Sequence, residues 1–164
     1  MQTLVAYFNS HRMVEDYIHH FYFPSSLDWN RIQSENFGGA RELSTWIEHV
    51  RTHWPELQIL GMKTEARRGI ELGASLAVEV TVHLGQLTPQ DLSVEIYCGP
   101  VDSKANFLDR FTIPLRTFIQ ERGRTVFRGE IPCQKVGRFG FRIRILPAHP
   151  LLSNPYSLGL ILWE

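Results

Sequence analysis

The hydrophobic period of the chain changes at Pro55, and that change constrains the fold more than any other feature. Before Pro55 the apolar residues recur every three or four positions. Met13, Tyr17 and Phe21 form one row and Val14 and Ile18 the row beside it, as on one face of a helix. Asn9 or Ser10 can cap this helix, and Glu15 and Asp16 are expected in its first turn, where the helix dipole favours negative charge. Pro24 is expected to end it, because proline lacks the amide donor and clashes with the preceding turn. A second helix is expected from a cap at Asp28. Its stripe is Ala40, Leu43, Trp46, Ile47 and Val50, with Gly38-Gly39 as a break into two pieces and Pro55 as its end.

After Pro55 the period is two. Leu76, Val78, Val80, Val82 and Leu84 alternate with Ala77, Glu79, Thr81 and His83; Leu92, Val94, Ile96 and Cys98 alternate with Ser93, Glu95 and Tyr97. Each run reads as a strand with one buried and one wet face. A Gly- and Pro-punctuated loop, residues 85–91, joins them. Further strands are expected at 58–64, 110–114, 125–131, 137–145 and 158–163. In the strand at 137–145, Phe139, Phe141, Ile143 and Ile145 face one side and Arg138, Gly140, Arg142 and Arg144 the other. The fold class is therefore mainly β: a helical segment over residues 1–55, then an antiparallel, immunoglobulin-like β-sandwich of about seven strands over residues 56–164. Leu76, Val78, Val80, Val82, Val94, Ile96, Phe141, Ile143 and Ile145 are expected to line its core. No strand–helix–strand alternation follows Pro55, which argues against a Rossmann-type sheet.

Composition narrows the function classes. The 17 basic and 17 acidic residues of this 164-residue chain balance, so bulk charge recruits neither nucleic acid nor a membrane surface. No apolar run approaches the ~20 residues of a membrane span, and Met1-Gln2-Thr3-Leu4 lacks the features of a signal peptide, so the expected location is the cytoplasm. Cys98 and Cys133 are too few for a disulfide scaffold and suit a reducing compartment, or at most one bridge.

Phosphate loops of the GxxxxGK[ST] and GxGxxG types and the GxSxG nucleophile elbow are absent from the sequence. His49 and His53, four apart on a helix, could face one metal ion, but no third ligand follows by spacing, so they read as two histidines near a helix C-terminus. Cys98 and Cys133 read as buried small hydrophobes, and His149 has no acidic partner legible in sequence. No catalytic, cofactor-binding or metal-ligating residue is assigned. One asymmetry remains. Between Asp109 and Arg144 the nine basic residues Arg110, Arg116, Arg122, Arg124, Arg128, Lys135, Arg138, Arg142 and Arg144 share the stretch with only three acidic ones, Asp109, Glu121 and Glu130. Arg138, Arg142 and Arg144, on one strand face, either meet an acidic surface or a phosphate, or form a solvated or salt-bridged face that resists stray pairing. Trp29, Trp46, Trp54, Tyr97, Tyr156 and Trp163 could stack on sugar rings; of these Trp46 and Trp54 suit a core or interdomain role, whereas Tyr97 on its wet strand face is the best platform for a sugar ring. The candidate contacts for a sugar or a partner are thus Tyr97, Arg138, Arg142 and Arg144.

The segment Phe8-Asn9-Ser10-His11-Arg12-Met13-Val14-Glu15-Asp16-Tyr17, continuing to Phe21-Tyr22-Phe23-Pro24, resembles the FNxxRMVxxYxxxxYxP stretch of bacterial and archaeal α-glucan (glycogen/maltodextrin) phosphorylases of glycosyltransferase family 35. The resemblance runs on through Trp46, Val50 and Trp54-Pro55, residues 84–97, residues 137–146, His149-Pro150-Leu151-Leu152, and Gly159-Leu160-Ile161-Leu162-Trp163. It covers nearly the whole chain and corresponds to the region after the catalytic part of those enzymes. Such enzymes hold pyridoxal phosphate on a lysine in a GNxKFxxNGA-like segment. Lys63, Lys104 and Lys135 stand in no such context, so the resemblance implies no cofactor and no catalysis in this chain. It implies a non-catalytic C-terminal module, excised or separately encoded, of an enzyme that transfers glucosyl units from α-1,4-glucan to orthophosphate. The implied partners are that enzyme's catalytic domain and an α-glucan, with self-association through the helical segment as a further expectation. Residues 4–8 and one flank of the first helix are expected to be exposed, weakly ordered, or covered by a second copy. The alternative is an independent carbohydrate-binding or protein-interaction sandwich.

Overall fold

The computed structural model of the chain describes residues 9–64, 71–121, 123–134 and 136–164, the side chains of residues 34 and 35 excepted. The expectation for residues 4–8, and the basic residues Arg122 and Lys135, fall outside that description. The chain divides into two compact units: residues 1–46 with 150–153, and residues 47–149 with 154–164.

In the first unit, helix α1 (Ser10–Tyr17) begins at Asn9, whose side chain accepts the Arg12 amide at 3.0 Å. Glu15 and Asp16 fall beyond its first turn, which carries no acidic residue. Pro24 does not end the helix. A π turn over Ile18–Tyr22 precedes it, and helix α2 (Phe23–His53) takes Pro24 into its first turn. A π turn breaks the i→i−4 ladder at the point where proline would otherwise leave a carbonyl unserved and clash with it. Asp28 consequently lies inside α2 rather than at a cap, where it accepts the Ser153 hydroxyl at 3.0 Å.

Within α2, Asn36 and Phe37 both have positive φ, 55° and 63°. A Cβ placed on Gly39 would lie 2.6 Å from the Arg31 carbonyl oxygen. Eight residues of straight helix would separate those positions by about 12 Å. The chain therefore folds back at Asn36-Phe37, just before the expected Gly38-Gly39 break, and glycine admits the close approach of the two helical arms.

The second unit is a pair of four-stranded antiparallel sheets. One has the order β1 (Gln58–Thr64), β2 (Ser75–His83), β6 (Arg124–Pro132), β5 (Arg116–Glu121). The other has β4 (Phe111–Pro114), β3 (Leu92–Pro100), β7 (Phe139–Pro147), β8 (Leu162–Trp163). This order is consistent with an immunoglobulin-like ABED sheet against C′CFG. Alternation places Leu76, Val78, Val80 and Val82 of β2 inward, opposite Ile131, Gly129, Phe127 and Thr125 of β6. From the other sheet Leu92, Val94, Ile96 and Cys98 meet them with Ile143 and Ile145. The inner faces touch at Gly129, where an added Cβ would lie 2.7 Å from Leu115 Cδ2 and 3.7 Å from Ile96 Cδ1. Leu115 itself, buried between β4 and β5, donates its amide to the Val94 carbonyl at 2.8 Å as the chain passes from one sheet to the other.

The expected core is in place except at Phe141, which is only half-buried near the open end of β7. Strand β5 is the one strand added to the seven expected, and no alternation in the sequence announces it. All six of its residues are exposed, and a register shift between Thr117 and Ile119 interrupts its pairing with β6. Such bulged edge strands gain little from burial and so carry no period-two signature.

Candidate functional site

The outer face of the β4-β3-β7-β8 sheet gathers the chemistry-bearing side chains. Register sets the pairs: Glu95 opposite Arg144, Arg144 opposite Trp163, and Tyr97 opposite Arg142. Because side chains alternate across a strand, Glu95, Tyr97, Arg142, Arg144 and Trp163 all project from this face. The short helix Pro155–Leu158, capped by Asn154 accepting the Tyr156 amide at 2.9 Å, packs on β7 and brings Tyr156 to the same place.

Arg144 is the centre of the cluster. It is only 9 % exposed, and of the roles expected for this face it takes the salt-bridged one. Its Nη2 and Nε donate to Glu95 Oε2 at 2.5 and 3.2 Å. Its guanidinium carbon lies 5.4 Å from the Tyr97 ring centroid and 5.6 Å from those of Tyr156 and Trp163. A cation desolvated this far is held by a paired carboxylate and by ring quadrupoles. Tyr97 is fixed edge-on against Trp163 (centroids 5.4 Å, planes at 89°) and against Phe107 (5.2 Å, 85°). Tyr156 and Trp163 nonetheless remain 49 % and 43 % exposed.

The structure thus brings Tyr97, Arg142 and Arg144 together and leaves Arg138 apart. Arg138 precedes β7 rather than lying in it, and its Nη1 approaches the Ser103 carbonyl at 3.4 Å. Arg142 stays exposed beside Tyr97. Tyr156 and Trp163 join the cluster without having been singled out as contacts. The available signal was Trp163 closing an apolar run; only register connects it to Arg144.

The remaining candidates carry no chemistry of this kind. The His49 and His53 rings lie 4.8 Å apart at a 54° tilt, and His53 Nδ1 turns to Glu56 Oε1 at 2.9 Å. The other Glu56 oxygen accepts the Gln86 amide at 3.1 Å. The His53 hydrogen bond, more than the Gln86 amide, holds the Glu56 carboxyl below its usual range. No group of three potential metal ligands occurs among the described residues. Burial pushes the Cys98 thiol up to about 11, so it stays protonated and inert at neutral pH. Cys98 and Cys133 are both free thiols. Lys63 and Lys104 are exposed on the surface, Lys63 beside Glu79 and Glu130 in an open groove. A phosphate-bearing aldehyde cofactor needs an enclosed, cationic cradle around its lysine, and neither position fits one. No helix among the described residues is long and apolar enough to cross a membrane.

The sandwich built around these residues has known relatives. Residues 54–164 match the family described as the glycogen phosphorylase C-terminal domain. The chain is 31 % identical over 163 residues to a glycogen phosphorylase of Mycobacterium tuberculosis (strain ATCC 25618 / H37Rv), covering 98 % of the chain and 19 % of that protein. The same values hold for a glycogen phosphorylase of Mycobacterium bovis. It is 26 % identical over 174 residues to a maltodextrin phosphorylase of Thermococcus litoralis, covering 100 % of the chain and 19 % of that protein. The chain therefore spans about a fifth of the length of these relatives. No solved structure matches it. Residues, register and relatives converge: this chain belongs to the glycogen phosphorylase C-terminal domain family.

Proposed function

We propose that the chain performs no reaction of its own and serves an α-glucan phosphorylase as its C-terminal module, with the helical segment as the docking element for the catalytic region. The whole enzyme transfers glucosyl units from an α-1,4-glucan to orthophosphate in the cytoplasm, and the catalytic region supplies the pyridoxal phosphate. The observation that carries this reading is the helical unit's uncovered apolar surface. Met13, Tyr17 and Phe21 are 55 %, 50 % and 60 % exposed, and neither α1 nor the π turn contains a buried residue. Burying each such side chain is worth roughly 1.5–3 kcal/mol, and patches of this kind mark interaction surfaces. The relatives support this occupant, because about four-fifths of their length lies outside the matched region.

Mixing the purified chain with a phosphorylase that lacks its corresponding C-terminal fifth should give a one-to-one complex on size exclusion. The double substitution Tyr17→Ser/Phe21→Ser should abolish it. Release of glucose 1-phosphate from maltodextrin and orthophosphate by the chain alone would overturn the non-catalytic reading. A complex indifferent to the double substitution would overturn the docking reading.

A further inference from the structure

We infer that the outer face of the β4-β3-β7-β8 sheet is a glucan-binding platform, on which Tyr156 and Trp163 stack against pyranose rings and Arg142 hydrogen-bonds to their hydroxyls. The inference rests on the reading of the chain as part of a glucan-processing enzyme, and adds a substrate-holding surface outside its catalytic region.

Three features of the face select a sugar over other ligands. Among the described residues its one deeply held cation, Arg144, is already neutralised by Glu95, so an anionic ligand finds no unpaired buried positive charge there. That ion pair acts as a post instead. Both ring centroids stand 5.6 Å from the Arg144 guanidinium carbon, and Tyr97 braces Trp163 from the side. Rings held this way have little rotamer freedom left to lose on binding, which favours a weakly polar ligand that offers little enthalpy per contact. Second, the two rings come from different elements, β8 and the helix Pro155–Leu158, yet lie within twice that distance of each other. Two rings within that reach can contact one oligosaccharide together. Third, the polar groups at the margin are Arg142 and the Tyr97 and Tyr156 hydroxyls, donors and acceptors that match equatorial hydroxyls. Apolar C–H faces on aromatic rings with hydroxyls at the edge are the chemistry of a pyranose, and an aromatic ring with a polar tip is suited to meet it.

The test is native affinity electrophoresis of the full chain through gels containing soluble amylopectin, with isothermal titration of maltoheptaose as a second measurement. The wild-type chain should be retarded and should bind maltoheptaose. Trp163→Ala and Tyr156→Ala should each weaken binding about tenfold. Tyr156→Phe should retain most of it, and Phe118→Ala, on the other sheet, should change nothing. A circular-dichroism melt of each variant separates loss of binding from loss of fold. No retardation of the wild-type chain, or retardation of both alanine variants equal to that of wild type, would overturn the platform. So would loss of the complex with the truncated phosphorylase in Trp163→Ala while glucan binding persists, since the face would then be a protein contact. None of these results disturbs the docking test through Tyr17 and Phe21, so the two readings fail separately.

Discussion

In α1 and the π turn after it the residues Met13, Val14, Tyr17 and Ile18 stand about half exposed, while in β2 Val78, Val80 and Val82 are wholly buried. Both elements are amphipathic by sequence. The strand's apolar face meets a second sheet supplied by the same unit, whereas α1 and the π turn bury nothing. A period in the sequence states which side of an element seeks cover; whether cover exists within the chain is a separate matter. Where it does, the side chain contributes to folding stability. Where it does not, the same free energy becomes available for association.

The largest expected effect tests that difference directly. Ile143→Ala should cost about 3 kcal/mol of unfolding free energy in urea titration, because its side chain is fully buried. Met13→Ala should stay within about 0.5 kcal/mol of wild type. A comparable loss at Met13 would show that the helical unit's apolar row is covered in the free chain.

Arg144→Met should follow, at about 2 kcal/mol, since it strands the Glu95 carboxylate with only 18 % of its side chain exposed. Removing both partners by Arg144→Met/Glu95→Leu should recover part of the loss, as measured by a double-mutant cycle. Failure of the pair to couple would mean that the rings alone hold the cluster.

Next in size, Tyr17→Ser/Phe21→Ser should leave the sandwich's thermal midpoint in place while abolishing association with the truncated phosphorylase. A collapse of the midpoint would assign these rings to the folding core.

The smallest effect concerns Glu56, whose folded-state carboxyl titrates below its usual range. A depressed carboxylate contributes stability that is present above the unfolded value, about 4.3, and is lost as pH falls through the folded value. Glu56→Gln should therefore lower the thermal midpoint slightly at pH 7. The gap should close as pH drops below that range. A gap that persists in acid would attribute the effect to the lost Gln86 contact geometry rather than to charge.

How legible the fold was depended on burial. Strands β2 and β3 have a wet face and a dry face, so Val78 and Glu79, or Ile96 and Tyr97, declare their sides in the sequence. Strand β5 has no dry face, and Phe118 and Ile119 are adjacent exposed residues that mimic no period. Helix ends were less legible for a different reason. Pro24 obeys the local rule that it cannot complete an i→i−4 bond, but the chain satisfies that rule with a π turn rather than by stopping. Asn36 and Phe37 take left-handed backbone one step before the glycines that seemed to invite the turn. In the candidate site, Tyr97, Arg142 and Arg144 were legible because alternation puts them on one face. Tyr156 and Trp163 were not legible as their companions.

The sequence by itself determined the switch from helix to sheet at Pro55, the inward faces of the main strands and the absence of phosphate-loop and nucleophile motifs. These follow from local spacing, which each segment carries without its neighbours. Only the tertiary structure decided that Arg144 is a buried post rather than a solvated cation. Its environment is assembled by Glu95 and Tyr97 from one strand, Trp163 from another and Tyr156 from a capped turn. Burial of a charge depends on every group brought around it, and cross-strand register, which sets those neighbours, is a property of paired strands and not of any one of them.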